Sequence, residues 1–130
     1  MRRRLTMARV ARLATVRPDG RPHIVPCCFA LASSDTVFSA VDAKPKTTLA
    51  LQRLANVRAN PRASLLVDEY SDDWSAIWWV RIEGPARIVV DASERELALD
   101  LLAQKYEQYR RNRPAGDVLA IHAALWRSWP

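Results

Sequence analysis

Residues 44–48 read Lys-Pro-Lys-Thr-Thr, two ammonium groups and two hydroxyls set ahead of Leu49, Leu51 and Leu54, which with Ala50 and Ala55 have the spacing of a short helix. The first turn of a helix exposes backbone N–H groups without an intrahelical acceptor and is the positive end of the dipole. Cationic and hydroxyl side chains there make an anion site, with phosphate as its commonest occupant. The same residues also describe a capped helix with two solvated lysines, and composition alone leaves both readings open.

Other chemistry is thin. His23 and His122 fall on separate strand-like segments, and no nucleophile sits in a recognisable elbow, so no triad can be assembled. Cys27 and Cys28 are adjacent, and neighbours on an extended chain point to opposite faces, which argues against a bond between them. Two isolated His and two adjacent Cys match none of the usual metal spacings, so no metal site is expected. With three glycines in the chain there is no Gly-x-Gly-x-x-Gly and no Walker sequence, so a nucleotide-like cofactor would not sit on a Rossmann fold. Trp74, Trp78 and Trp79 are more aromatic mass than a core of this size needs. Trp78 and Trp79 face opposite ways on a strand, so one of them requires a cover, either a second chain or a flat ligand.

The elements that must position these groups are short. Val10 to Arg17 reads as a strand, Pro18-Asp19-Gly20 as a turn, His23 to Ala32 as a second strand covered on both faces, and Thr36 to Val41 as a third. Pro26 cannot donate to a ladder, which places it at an edge, at a bulge, or where something other than a strand approaches. The helix after Thr48 ends near Asn56 or at Asn60-Pro61. Strands follow from Arg62 to Tyr70 and from Ile77 to Val90, the latter bent at Gly84-Pro85. Ser93-x-x-Glu96 reads as a capping box for a helix with Leu97, Leu101 and Leu102 as its buried stripe. Val118 to Ala123 is a last strand, trailed by Trp126 and Trp129. Six mainly antiparallel strands and two or three helices make a barrel-like α+β domain, with barrel and sandwich not separated by periodicity.

Composition sets the frame. The chain has 130 residues with 20 Lys+Arg against 14 Asp+Glu, a net charge of +6, and 49% hydrophobic residues. That describes one domain over residues 1–130 with a core of its own. No stretch approaches the roughly 18 apolar residues a membrane span needs, and Arg9 and Arg12 interrupt the segment after Arg2-Arg3-Arg4, so neither a span nor a signal peptide is expected. A cytoplasmic location is the expectation. Seventeen of the basic residues are Arg, scattered from Arg2 to Arg127. This suits a small anionic ligand better than nucleic acid, which favours a concentrated basic patch.

Ala11-Arg12-Leu13-Ala14-Thr15-Val16, Pro18-Asp19-Gly20-Arg21-Pro22-His23, Val25-Pro26, Lys44-Pro45-Lys46, Asn60-Pro61-Arg62-Ala63-Ser64-Leu65-Leu66-Val67-Asp68 and Trp79-Val80-Arg81-Ile82-Glu83-Gly84, in that order and spacing, resemble the flavin/deazaflavin oxidoreductase superfamily. Within it the chain is similar, from about Arg9 to Trp129, to the pyridoxamine 5′-phosphate oxidase-like, F420-dependent enzymes of the B group. The resemblance implies a mainly antiparallel, six-stranded split β-barrel and a homodimer with two cofactor sites at the subunit interface. It implies coenzyme F420 as cofactor, with FMN in sibling groups. Lys46, with Lys44 and Thr47, would hold the cofactor phosphate. Val25, Pro26, Cys27 and Cys28 would lie along the ring, with Ser39 and Ala40 as small neighbours. Trp78 and Trp79 would approach the partner's site. The implied activity is hydride transfer between the reduced deazaflavin and a small conjugated acceptor such as an enone, quinone or tetrapyrrole. An FMN-dependent oxidase or reductase, and a non-catalytic F420, flavin or haem binder, are the alternatives. The amino terminus is short for a family whose members carry a helix ahead of the first strand.

Overall fold

The computed structural model describes residues 1–41 and 48–130, with 48–51 by backbone alone. Among the described residues eight strands and four α-helices occur in the order α1 (Arg2–Met7), β1 (Ala11–Val16), β2 (Pro22–Cys27), β3 (Ala30–Leu31), β4 (Thr36–Ala40), α2 (Thr48–Ala59), β5 (Arg62–Glu69), β6 (Trp78–Ile88), α3 (Ala92–Lys105), α4 (Glu107–Arg111), β7 (Val118–His122) and β8 (Leu125–Trp129). A 3₁₀ turn, Trp74–Ala76, precedes β6.

All described pairings are antiparallel, and the strands run β2-β1-β5-β6-β7-β4-β3, with β8 added to β6. The two ends of this order, β2 and β3, are consecutive in the chain and joined only by Cys28-Phe29. The sheet therefore curls into a barrel that stays open along one seam, the α+β split barrel that the resemblance implies. β6 makes the curl. Trp78–Pro85 pairs with β5 and Trp79–Glu83 with β8, while Ala86–Ile88 pairs with β7. The change of partner falls at Gly84, where a Cβ would lie 1.8 Å from the carbonyl oxygen of His122, so no side chain fits between the two backbones.

Alternation fills the barrel. Ala11, Leu13 and Thr15 of β1, Leu65 and Val67 of β5, and Val80 and Ile82 of β6 are buried on one face, as the two-residue period of a strand requires. Phe29, Val37, Leu54, Val57 and Leu119 join them. A second cluster, Ala30, Phe38, Val118 and Ala120 against Ala98, Leu99 and Leu102, packs α3 on the outer face of β3, β4 and β7. α2 is pinned to β1 by Asn56, fully buried, whose amide donates to the Thr15 hydroxyl at 3.0 Å and accepts from Gln52 at 2.7 Å.

Several sequence expectations are corrected. The expected second strand divides into β2 and β3, and β2 is not covered on both faces, since Ile24 is 65% exposed. The Trp126/Trp129 tail is strand β8, and a helix, α1, does precede the first strand. Of the two ends expected for α2, the structure takes the one at Asn60-Pro61, with the helix stopping at Ala59. α3 is capped two residues earlier than the Ser93 reading: the Asp91 carboxylate accepts from the Glu94 backbone N–H at 2.9 Å and from the Ser93 hydroxyl at 2.6 Å. The helix buries Ala98, Leu99, Leu102 and Ala103, and Leu97 is half exposed. Small Ala side chains let the helix approach the sheet where leucines would hold it off. Among the described residues no helix is long and apolar enough to cross a membrane.

Candidate functional site

The seam of the barrel is where strand edges go unpaired. β2 pairs only with β1, and its outer edge faces the gap, which is why Pro26 sits there without loss of a ladder bond. In that gap Pro26, Cys27 and Cys28 meet Ala40 of β4, Val10, Tyr109 of α4 and Arg53 of α2 around a cavity of about 240 Å³. A neighbouring cavity of about 190 Å³ shares Cys28 and Tyr109 and adds Tyr106 and Gln108. Together they reach the size of a small-ligand site.

The walls are fixed from behind. The Ser39 hydroxyl, fully buried, donates to the Cys28 carbonyl at 2.8 Å and so ties β4 to the end of β2 across the seam. The Tyr106 hydroxyl accepts from the Phe29 backbone N–H at 3.1 Å and donates to the Arg9 carbonyl at 3.0 Å. Burial pushes the Tyr106 phenol up to about 12, and it also pushes the Cys27 thiol up. At neutral pH both groups are therefore uncharged parts of the wall. His23, two residues before Val25, is buried with Nδ1 unpartnered among the described residues; burial, then Arg17 and Arg53, lower its pKa. It lines neither seam cavity.

Arg53 is the group that sequence reasoning missed. Its Nε is buried and has no hydrogen-bond partner among the described residues, and its side chain lines the cavity. A buried guanidinium N–H can donate to an anionic or carbonyl oxygen. The signal was present in the sequence: Arg53, Asn56, Val57 and Asn60 share one helical face at i, i+3, i+4 and i+7, and polar side chains on a sheet-facing stripe require partners. Tyr109 and Val10 carried no comparable signal.

Of the residues expected at the site, the structure brings together Pro26, Cys27, Cys28 and Ala40 as lining and Ser39 as support. Val25 packs partly buried against the barrel core. Lys44, Lys46 and Thr47 lie outside the described residues. Trp78 and Trp79 face opposite ways, as expected, and neither lines the seam cavities. Trp78, stacked under the Arg4 guanidinium at 4.9 Å, borders a different cavity of about 590 Å³ with Arg3, Arg9, Asp68 and Glu69. Trp79 carries Arg81 at 5.4 Å and pairs in register with Trp129. Among the described residues the lining offers strand backbone, small side chains and a guanidinium N–H without an acceptor, with no carboxylate, a set that fits a flat ligand.

Comparison with known proteins agrees with this architecture. A conserved hypothetical protein of Mycobacterium tuberculosis superposes with a TM-score of 0.78 at 24% identity, over 98% of this chain and 80% of that one. HutZ, the heme storage protein of Vibrio cholerae, superposes at 0.74 with 16% identity over 98% and 89%. A FAD-binding protein of Mesorhizobium loti superposes at 0.70 with 23% identity over 98% and 87%. No curated protein matches. The family model for pyridoxamine 5′-phosphate oxidase matches residues 1–130, and the chain belongs to that family.

Proposed function

We propose that this protein is a flavin-type oxidoreductase that holds its cofactor ring in the seam of the barrel, with coenzyme F420 as the cofactor and FMN as the alternative. The observation that carries the reading is the seam itself, where an unpaired strand edge at Pro26–Cys28, the small Ala40 and the unsatisfied Arg53 Nε converge. The flavin- and haem-binding structural neighbours are consistent with a flat ligand in this fold. The preference for F420 rests on the sequence resemblance.

The bound cofactor would supply the hydride chemistry. The chain's own residues bind and orient. Arg53 donates to an oxygen of the ligand, Lys44, Lys46 and Thr47 hold its phosphate, and Pro26, Cys27 and Cys28 form the flat wall, with Cys27 kept neutral by burial. Tyr109 and Gln108 close the side on which an acceptor would enter. The assembly is a homodimer in which Trp78 and Trp79 approach the second chain's site. Neither histidine lines the seam cavities of its own chain, so a haem there would take any imidazole ligand from the second chain.

Turnover tests this reading. Reduced F420 mixed with the protein and a panel of an enone, a quinone and a linear tetrapyrrole is expected to be oxidised in a saturable, protein-dependent way by at least one acceptor. Tight binding with no oxidation by any of them would make the protein a carrier instead.

A further inference from the structure

Lys105, in the last turn of α3, plays no part in the site described so far. Its Nζ is buried without a hydrogen-bond partner among the described residues, 3.7 Å from the centroid of the Phe29 ring and 5.4 Å from that of Tyr106. Ring faces attract an ammonium without neutralising it. Among the described residues the charged and titratable groups that act on it are Arg9, from the segment between α1 and β1, and Cys27 and Cys28 at the end of β2, with Tyr106 next to it in the chain where α3 ends; none is a carboxylate. The charge is thus uncompensated in a partly buried setting, where its field is stronger than at the surface. Phe29 follows Cys28 in the chain, and Cys28 lines both seam cavities. The ammonium therefore lies on the Phe29 side of Cys28, within electrostatic reach of Cys27 and Cys28, while Lys105 also borders a separate cavity with Thr6, Ala30, Leu31, Leu101 and Gln104.

We propose that Lys105 is a positioning residue for the ring site, a positive charge beside Cys28 and Phe29 that favours the reduced, anionic form of a flavin-type ring over its neutral oxidised form. The proposal rests on the reading of the seam as a ring site. Reduction adds two electrons and one proton and so leaves the ring with one more negative charge, which a nearby cation stabilises. Burial and the Arg9 charge lower the Lys105 pKa from 10.5 to about 8, so the effect is also switched off as pH rises through that value.

The test uses FMN as probe and dithionite as reductant, and reads the ratio of the dissociation constants for oxidised and reduced FMN. The full chain is compared with Lys105→Met and Lys105→Arg at pH 7 and pH 10. At pH 7 the wild type and Lys105→Arg are expected to favour reduced FMN about tenfold more than Lys105→Met does, the size of a single charge several ångströms away. At pH 10 the wild-type ratio is expected to fall to that of Lys105→Met. If Lys105→Met does not fold, the comparison of the wild type with Lys105→Arg, which keeps its charge at pH 10, decides: the wild-type ratio is expected to fall between the two pH values by about tenfold more than that of Lys105→Arg. FMN bound with one ratio in all proteins and at both pH values overturns this proposal and leaves the ring site standing. Failure of both FMN and F420 to bind in either redox state overturns the ring site and this proposal together.

Discussion

Arg53 and Lys105 are both basic, partly buried and without hydrogen-bond acceptors among the described residues, yet their surroundings give them different consequences. Arg53 opens onto the seam cavity, so Arg53→Met removes a charge-assisted contact to the ligand. Binding of FMN or F420 is expected to weaken by about 1–3 kcal/mol, with the melting temperature unchanged or raised because an unsatisfied buried N–H is lost. Isothermal titration beside a thermal melt checks both, and unchanged affinity would remove Arg53 from the site. Lys105 is partly buried, and its lowered pKa has a stability consequence whose sign is fixed. Below about pH 8 the amine is charged in folded and unfolded states alike, and burial of that charge opposes folding in full. Between about 8 and 10.5 the unfolded chain binds more protons than the folded one, so stability from this group rises with pH. Lys105→Met is therefore expected to raise the melting temperature most at pH 7 and much less at pH 10.5; an equal shift at both would contradict the buried-charge account.

At the level of elements, the bend of β6 and the start of α3 are each held by one residue. Gly84→Ala would place a methyl group against the His122 backbone, and neither strand can yield without losing pairs, so a loss of about 3 kcal/mol is expected in urea unfolding. A loss below about 0.5 kcal/mol, ordinary for a surface position, would show that the crossing is looser than the geometry states. Asp91→Ala removes the N-cap of α3 and is expected to lower stability by about 1 kcal/mol, whereas Ser93→Ala leaves the cap in place. Local sequence carries only part of this. Gly84-Pro85 announced its bend, and the β1, β4, β5 and β7 segments were legible from alternation and turns. The α3 cap was misread because Asp91 and Ser93 both head acceptable capping boxes, ending at Glu94 and Glu96, and only packing of Ala98 and Leu102 on the sheet selects the first. β8 was invisible because Leu125–Trp129 alternates about a strand edge supplied by β6, with Trp129 opposite Trp79 and Leu125 opposite Glu83, far apart in the chain.

For the whole molecule, the curled sheet order explains why there is room for the proposed site: closing the barrel between β2 and β3 would pair the edge that Pro26 leaves free. The seam could be expected from the placement of Pro26, but Arg53, Tyr109 and Val10 reach it only through the tertiary fold, which no local pattern encodes. Trp74, at 72% exposed, Trp129 at 49% and Ile24 at 65% are large apolar groups left at the surface, available to the second chain of the proposed dimer. Sedimentation is expected to give the mass of a dimer, and a single-chain mass with ring binding intact would remove the second chain from the site. The central claim, a flavin-type ring in the seam, is tested most directly by titrating the purified protein with F420 and, in parallel, with FMN while following tryptophan fluorescence. Saturable quenching at micromolar F420 with weaker FMN binding is the predicted result; preferential FMN binding would move the protein to the flavin branch, and no saturable quenching by either would contradict the claim.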